Sequence, residues 1–240
     1  KSSLWTVTFA PDGKTLFIGS HAGGRIVPVP EPKLLPPPPP PPPQPQWVAL
    51  VPTAFTSAAG ATAAIGGDGV VLVTGNRAKD TYTLKAVVPA GGNLRGVRLE
   101  ALADDSLPAK GPGRADNGNF VVSTFAVQFG PPGSADTPTA VAFAGAKADF
   151  EQENYGVAGT LDDKPDSGWA IGGGIGANHV ATFDLPADLV VAANSPLTVT
   201  IDQQHADGTH AVGKFRLHLL QEVVPPSPPP AAPAAEAPKP

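Results

Sequence analysis

The chain contains no cysteine. Disulfides, thiolate-ligated metals and c-type haem attachment are therefore excluded within it. It contains no methionine and begins at Lys1, so a processed or excised piece of a longer product is expected. Charge is sparse: Asp, Glu, Lys and Arg make up 15% of the residues and the net formal charge is −5. No basic patch able to neutralise phosphates is visible, which argues against nucleic acid as a partner. No apolar run approaches the roughly 18–20 residues of a membrane-spanning helix, so no membrane insertion is expected. No secretory signal is visible, and any such signal is expected upstream. Long amphipathic helical patterns are missing too.

What is abundant is proline. Residues 28–45 and 225–240 are proline-rich and cannot form a packed core, because proline lacks the backbone donor and fixes φ. The unbroken run at 36–43 is expected to form a polyproline II rod, roughly 3.1 Å per residue. A semi-rigid spacer is the plain reading of both blocks; a ligand for an aromatic-lined groove is the alternative for the first. Excluding them leaves roughly 175 residues, enough for one sizeable core.

The stretch from Leu94 to Phe129 shows how that core is built. Val97, Leu99 and Ala101 fall on one face of a strand, with Arg98 and Glu100 on the other, a period of two. A polar loop follows, Gly-Pro-Gly-Arg-Ala-Asp-Asn-Gly-Asn at 111–119, and then a second strand from Phe120 to Phe129. The same alternation recurs at Tyr82, Leu84, Ala86 and Val88, at Ala181, Phe183 and Leu185, at Leu197, Val199 and Ile201, and at Phe215, Leu217 and Leu219. The Ala/Thr-rich stretch 54–65 superficially suits a helix, but Gly60 and the β-branched threonines argue against one. Many short strands joined by Gly/Pro/Asn/Asp turns predict an all-β, two-sheet antiparallel sandwich. Phe125, Phe183 and Phe215 are expected to share its core.

At the N-terminus, two apolar/polar strands flank Pro11-Asp-Gly-Lys14, a turn in which proline presets φ and glycine accepts a positive one. Residues 25–29 are a possible third strand. The string Trp5-Thr-Val-Thr-Phe-Ala-Pro-Asp-Gly-Lys-Thr-Leu-Phe-Ile-Gly-Ser-His21 resembles a WD-type propeller blade. One blade cannot bury its own face, so this piece is expected to be the end of a propeller encoded upstream. The expected organisation is a blade-like hairpin at 1–30, a Pro-rich linker at 31–46, the sandwich at 47–224 and a Pro/Ala-rich tail at 225–240.

Several segments carry a further resemblance: Asp80-Thr-Tyr-Thr-Leu84, Val97-Arg-Leu-Glu-Ala-Leu102, Gly111-Pro-Gly-Arg-Ala-Asp-Asn-Gly-Asn-Phe-Val121, Gly168-Trp-Ala-Ile171 and Gly213-Lys-Phe-Arg-Leu217. Together they resemble the jelly-roll module of large planctomycete-type bacterial proteins. The resemblance implies an exported multidomain protein, periplasmic or at the cell surface, and a non-catalytic accessory module that binds a glycan or cell-surface polymer beside the parent chain's other domains. A second likeness, at Val157-Ala-Gly-Thr-Leu-Asp-Asp-Lys-Pro-Asp-Ser-Gly-Trp169, is to galactose-binding-like domains of the discoidin type. It implies a structural calcium held by the side chains of Asp162 and Ser167 and the carbonyl of Lys164; calcium favours such hard oxygens. Asp163 stands where that pattern has glycine. The alternative is an Asx-type turn with Asp162 capping backbone donors.

Tyr155, Asn178 and His179 are the candidate ligand-binding residues, as polar or aromatic loop residues near the Trp169 segment. Asp116, Asn117 and Asn119 offer oxygens, but a rigid hydrogen-bonded turn suits them better than an ion, and Arg114 is expected to pair with Asp116. His205 and His210 suggest a zinc pair, but their spacing matches no familiar signature and no third ligand is evident. Solvated loop histidines are the simpler reading. No Gly-x-Ser-x-Gly elbow exists. The glycines at 172–176 precede no helix, so they do not form a dinucleotide loop. The rival functions are a glycan hydrolase, which needs two carboxylates facing one bond, and a purely structural spacer.

Overall fold

The structure is a computed structural model that describes residues 4–11, 13–20, 23–29, 44–133 and 138–223. The expectations for the proline run at 36–43 and the tail at 225–240 lie outside these residues. Of the described residues, 4–29 belong to one compact unit and 44–223 to another.

The first unit is an antiparallel meander of β1 (Leu4–Phe9), β2 (Thr15–Ser20) and β3 (Gly23–Pro28). Its first turn closes with Ala10 N–H donating to the Thr15 carbonyl at 2.9 Å, and Gly13 adopts the positive φ of 65° that its place in the turn requires. Register sets Val7 opposite Ile18 and Phe9 opposite Leu16, which in turn faces Val27. One face is thus apolar, and Val7 and Phe9 remain 58% and 63% exposed, because three strands have no second layer of their own to cover them.

The second unit contains β4 (Gln44–Leu50), β5 (Ala54–Ser57), β6 (Ala61–Ile65), β7 (Val71–Gly75), β8 (Asp80–Val87), β9 (Gly92–Ala101), β10 (Val121–Val122), β11 (Thr124–Phe129) and β12 (Thr139–Val141). It continues with β13 (Gly145–Ala148), β14 (Trp169–Ala170), β15 (His179–Asp184), β16 (Val190–Val191), β17 (Pro196–Gln203) and β18 (Lys214–Val223). All pairings are antiparallel. One sheet runs β12-β11-β17-β8-β5; the larger runs β13-β15-β9-β18-β7-β6, with β16 beside β9 and β4 beside β18. β10 and β14 form a separate two-stranded ribbon.

The two large sheets pack as a β-sandwich. Phe125 of β11 stacks on Phe183 of β15 with ring centroids 4.2 Å apart, and Tyr82 of β8 lies 6.5 Å from Phe215 of β18. Phe125, Phe183 and Phe215 are all buried in one cluster, as their places in the alternation predict. Strand β17 reads half-buried, buried in strict alternation, the signature of a strand with one face in the core. The Ala/Thr-rich stretch is two strands, β5 and β6, reversed around Gly60 at a φ of 83°.

Two features depart from simple alternation. In β9, Leu94 and Val97 are both buried although three apart; a register shift opposite Leu220 and Gln221 leaves Arg95 out of the ladder. Such a bulge re-aims one side chain, and Arg95 turns to Glu222, its Nη2 2.6 Å from Oε1. The first strand of the sandwich begins at Gln44, so the sheet takes in Pro45 and Gln46. Among the described residues β4 pairs with β18 alone, and an edge strand is where a sheet tolerates proline.

Candidate functional site

The Gly-Arg-Ala-Asp-Asn-Gly-Asn loop joins β9 to β10 and packs tightly on itself. A Cβ at Gly113 would lie 1.9 Å from the Asn119 carbonyl, so only glycine permits this closure. The fold-back separates Arg114 from Asp116, correcting the expected pair. Arg114 turns inward, 4% exposed, donating from Nη2 to the Gly75 carbonyl at 2.7 Å and from Nη1 to the Tyr82 hydroxyl at 3.3 Å. Burial raises the Tyr82 pKa, and Arg114 offsets part of that rise. Asp116 points outward and pairs with Arg77 at 2.7 Å.

Asn117 and Asn119 do different work. Asn117 Oδ1 accepts the Asn119 N–H at 3.0 Å, an Asx turn. Asn119 is buried. Its Oδ1 accepts the Ile171 N–H at 3.0 Å and its Nδ2 donates to Gln152 Oε1 at 2.9 Å. Gln152 Oε1 also accepts the Gly172 N–H at 3.0 Å. A Cβ on Gly172 would meet that oxygen at 2.2 Å, so a larger residue would push the Gln152 amide aside. Three segments distant in sequence are thus joined into one wall.

That wall borders a cleft of about 540 Å³, whose other side is the loop between β17 and β18. The loop, Gln-Gln-His-Ala-Asp-Gly-Thr-His, reverses at Gly208, which has a φ of 81° and donates its N–H to the His205 carbonyl at 3.0 Å. The reversal brings His205, Asp207 and His210 together. His205 Nδ1 lies 3.0 Å from Asp207 Oδ1, and His210 Nδ1 lies 2.6 Å from Asp207 Oδ2. Burial works to raise the Asp207 carboxyl, but the two imidazoles outweigh it and hold the pKa below the usual carboxylate range. Tyr155 reaches in from the far wall, its hydroxyl 3.1 Å from His205 Nε2.

Of the residues singled out from sequence, Tyr155 lines this cleft; Asn178 and His179 do not. Asn178 is exposed and its Oδ1 accepts the Ala103 N–H at 2.8 Å, fastening the loop that leaves β9. His179 is buried at the start of β15. Its Nε2 donates to the Gly174 carbonyl at 2.7 Å, and its ring lies against Phe150. Asp207, Gln152 and Asn117 were not anticipated as members of one site. Asp207 had a local signal, since an Asp-Gly step between two histidines folds back, and Asn117 belonged to the oxygen-bearing loop, but Gln152 had none.

Asp162, Lys164 and Ser167 do come together. Asp162 Oδ1 accepts the Lys164 N–H at 3.0 Å and the Ser167 hydroxyl at 2.6 Å. These two donors, Ser167 first, hold the Asp162 carboxyl below its ordinary pKa. The Ser167 hydroxyl also lies 3.1 Å from the Lys164 carbonyl and 3.2 Å from that of Gly159. This is an Asx turn closed on itself, with the Lys164 ammonium 3.5 Å from Asp162 Oδ2. As a calcium donor set it offers one carboxylate that already faces a cation, against the six to eight oxygens calcium takes.

No family model, no curated protein and no solved structure matches the chain.

Proposed function

We propose that the sandwich is a non-catalytic binding module that takes a hydroxyl-rich ligand, a glycan or cell-surface polymer, in the cleft beside Tyr155. In this reading it serves as an accessory module of a larger exported bacterial protein. The observation that carries the reading is the cleft's chemistry. Among the described residues, no partner engages Asn117 Nδ2 or Gln152 Nε2, and both nitrogens belong to residues that line the opening. Donors of this kind, beside an aromatic ring, match the alternating hydroxyls and apolar faces of a sugar. The wall that carries them is fixed by the Asn119–Gln152–Gly172 bonds, so little ordering accompanies binding.

The hydrolase reading finds less support. Among the described residues lining the cleft, Asp207 is the one carboxylate, and a glycosidase acts through two. The export and parent-protein parts rest on the resemblance to planctomycete-type modules, and the suggested structural calcium rests on the discoidin-type likeness. A glycan array probed with the full chain tests the reading. Binding that Tyr155→Ala and Gln152→Ala both weaken is expected. Binding that neither alters, or release of reducing ends from a bound glycan, would refute it.

A further inference from the structure

The His205–Asp207–His210 cluster goes beyond a rim of polar groups. The metal-ligating atoms of all three side chains lie within 4.8 Å of one another. Around a zinc-sized ion with bonds of about 2.0–2.2 Å, tetrahedrally placed donors lie about 3.3–3.6 Å apart. The observed separations of 3.0 Å and 2.6 Å to Asp207 reach that spacing with a small outward turn of the carboxylate. The loop is otherwise held. The His210 carbonyl accepts the Val121 N–H at 2.9 Å, and Gly208 closes the turn onto His205 at 3.0 Å.

Two observations separate this cluster from an ordinary hydrogen-bonded loop. First, the buried His210 Nδ1 and Asp207 Oδ2 face each other at 2.6 Å without the alignment of a hydrogen bond. A metal between that nitrogen and the carboxylate replaces the poorly aligned contact with a bond to each. Second, the far nitrogen of His205 is in hydrogen-bonding contact with the Tyr155 hydroxyl. Metal-bound histidines have such an outer partner, which fixes ring orientation and tautomer.

We infer that His205, Asp207 and His210 form a binding site for a divalent transition metal of the zinc class, with Tyr155 as the positioning residue for His205. Two imidazoles and one carboxylate suit zinc and its first-row neighbours; calcium and magnesium prefer all-oxygen sets. Three protein donors leave at least one coordination position. It faces the cleft, where water or a ligand oxygen completes the shell. The inference is independent of whether the cleft takes a glycan.

The test uses the full chain, stripped with chelator and titrated calorimetrically with zinc sulfate, with calcium chloride as the control. Cobalt(II) serves as the spectroscopic probe. One zinc per chain and a visible cobalt band of the four- or five-coordinate type are expected, with no heat from calcium. His210→Ala and Asp207→Asn should each abolish uptake, while Tyr155→Phe should weaken it about 10–100-fold. Urea midpoints establish that the variants fold. Should one fail to fold, the parent's cobalt spectrum decides, since lack of the band overturns the site. Zinc uptake that His210→Ala leaves unchanged overturns it as well. Zinc binding without any glycan binding would remove the function proposed above and leave this site standing.

Discussion

Replacing Asn119 by alanine tests whether the Gly-Arg-Ala-Asp-Asn-Gly-Asn loop is a structural wall. The substitution deletes the acceptor of the Ile171 N–H, and Ile171 is 0% exposed, so water cannot replace it. An orphaned buried amide costs about 1–3 kcal/mol. It also deletes the Asn119 bond to Gln152 Oε1, which keeps the Gly172 N–H as a second donor. That loss adds about 0.5–1.5 kcal/mol, the net worth of one hydrogen bond. The expected destabilisation is therefore about 1.5–4.5 kcal/mol. Asn119→Asp keeps the acceptor for Ile171 but sets a carboxylate in a buried site beside Gln152 Oε1, with no cation among its described partners, so it should destabilise as well. Urea unfolding of the full chain, followed by tryptophan emission and far-ultraviolet dichroism, measures both. Trp169 is a local reporter, being buried with its indole N–H bonded to the Phe150 carbonyl at 2.8 Å. A loss below about 0.5 kcal/mol for Asn119→Ala, the range of ordinary surface changes, would refute the reasoning.

Three further outcomes are expected. Phe125→Ala and Phe183→Ala should each cost about 3–5 kcal/mol, and the double variant should reveal a coupling of about 0.5–1.5 kcal/mol from the stacked rings; strict additivity in denaturant unfolding would contradict the packing. His218 should give stability a pH slope: burial lowers its pKa, more than Glu100 raises it, and Arg216 and Arg98 lower it further. The unfolded chain then binds the extra proton, so stability is complete above the ordinary value of 6.5 and falls as pH drops through it. His218→Gln should flatten that slope between about pH 5 and 7, and an unchanged slope would exonerate the residue. Asp162→Ala should lower the melting midpoint by breaking the Asx turn, while the parent's midpoint should be the same in excess calcium and in excess chelator. A midpoint that rises with calcium in the parent alone would install the metal in that loop.

The sheets were legible because burial on one face imposes a period of two on the sequence. Val97, Leu99 and Ala101 announce their strand, and Phe125, Phe183 and Phe215 announce the core. The bulge at Arg95 was not legible, because it depends on what lies opposite: β18 supplies the shifted partners and Glu222 supplies the anion. The same limit applies to Arg114. Two residues of opposite charge in one short loop look like a pair. The close approach of Gly113 to Asn119 turns one into the sandwich and the other toward Arg77.

The cleft shows that limit most fully. Its walls come from residues 117–121, 152–155, 172 and 205–210, and no local pattern links those segments. What links them is hydrogen bonding among the lining residues themselves. Asn119, one of the loop's candidate oxygen donors, spends both ends of its amide on Ile171 and Gln152. His205 and His210 lacked a third donor on paper because the intervening Asp207 reads as a turn former. It is a turn former, and the turn is what delivers its carboxylate between the two imidazoles. One residue therefore carries both the backbone geometry and the donor set, and the two roles separate under substitution. Asp207→Asn keeps an Oδ1 acceptor for the Thr209 N–H, now 3.4 Å away, while removing the negative charge that a divalent cation requires.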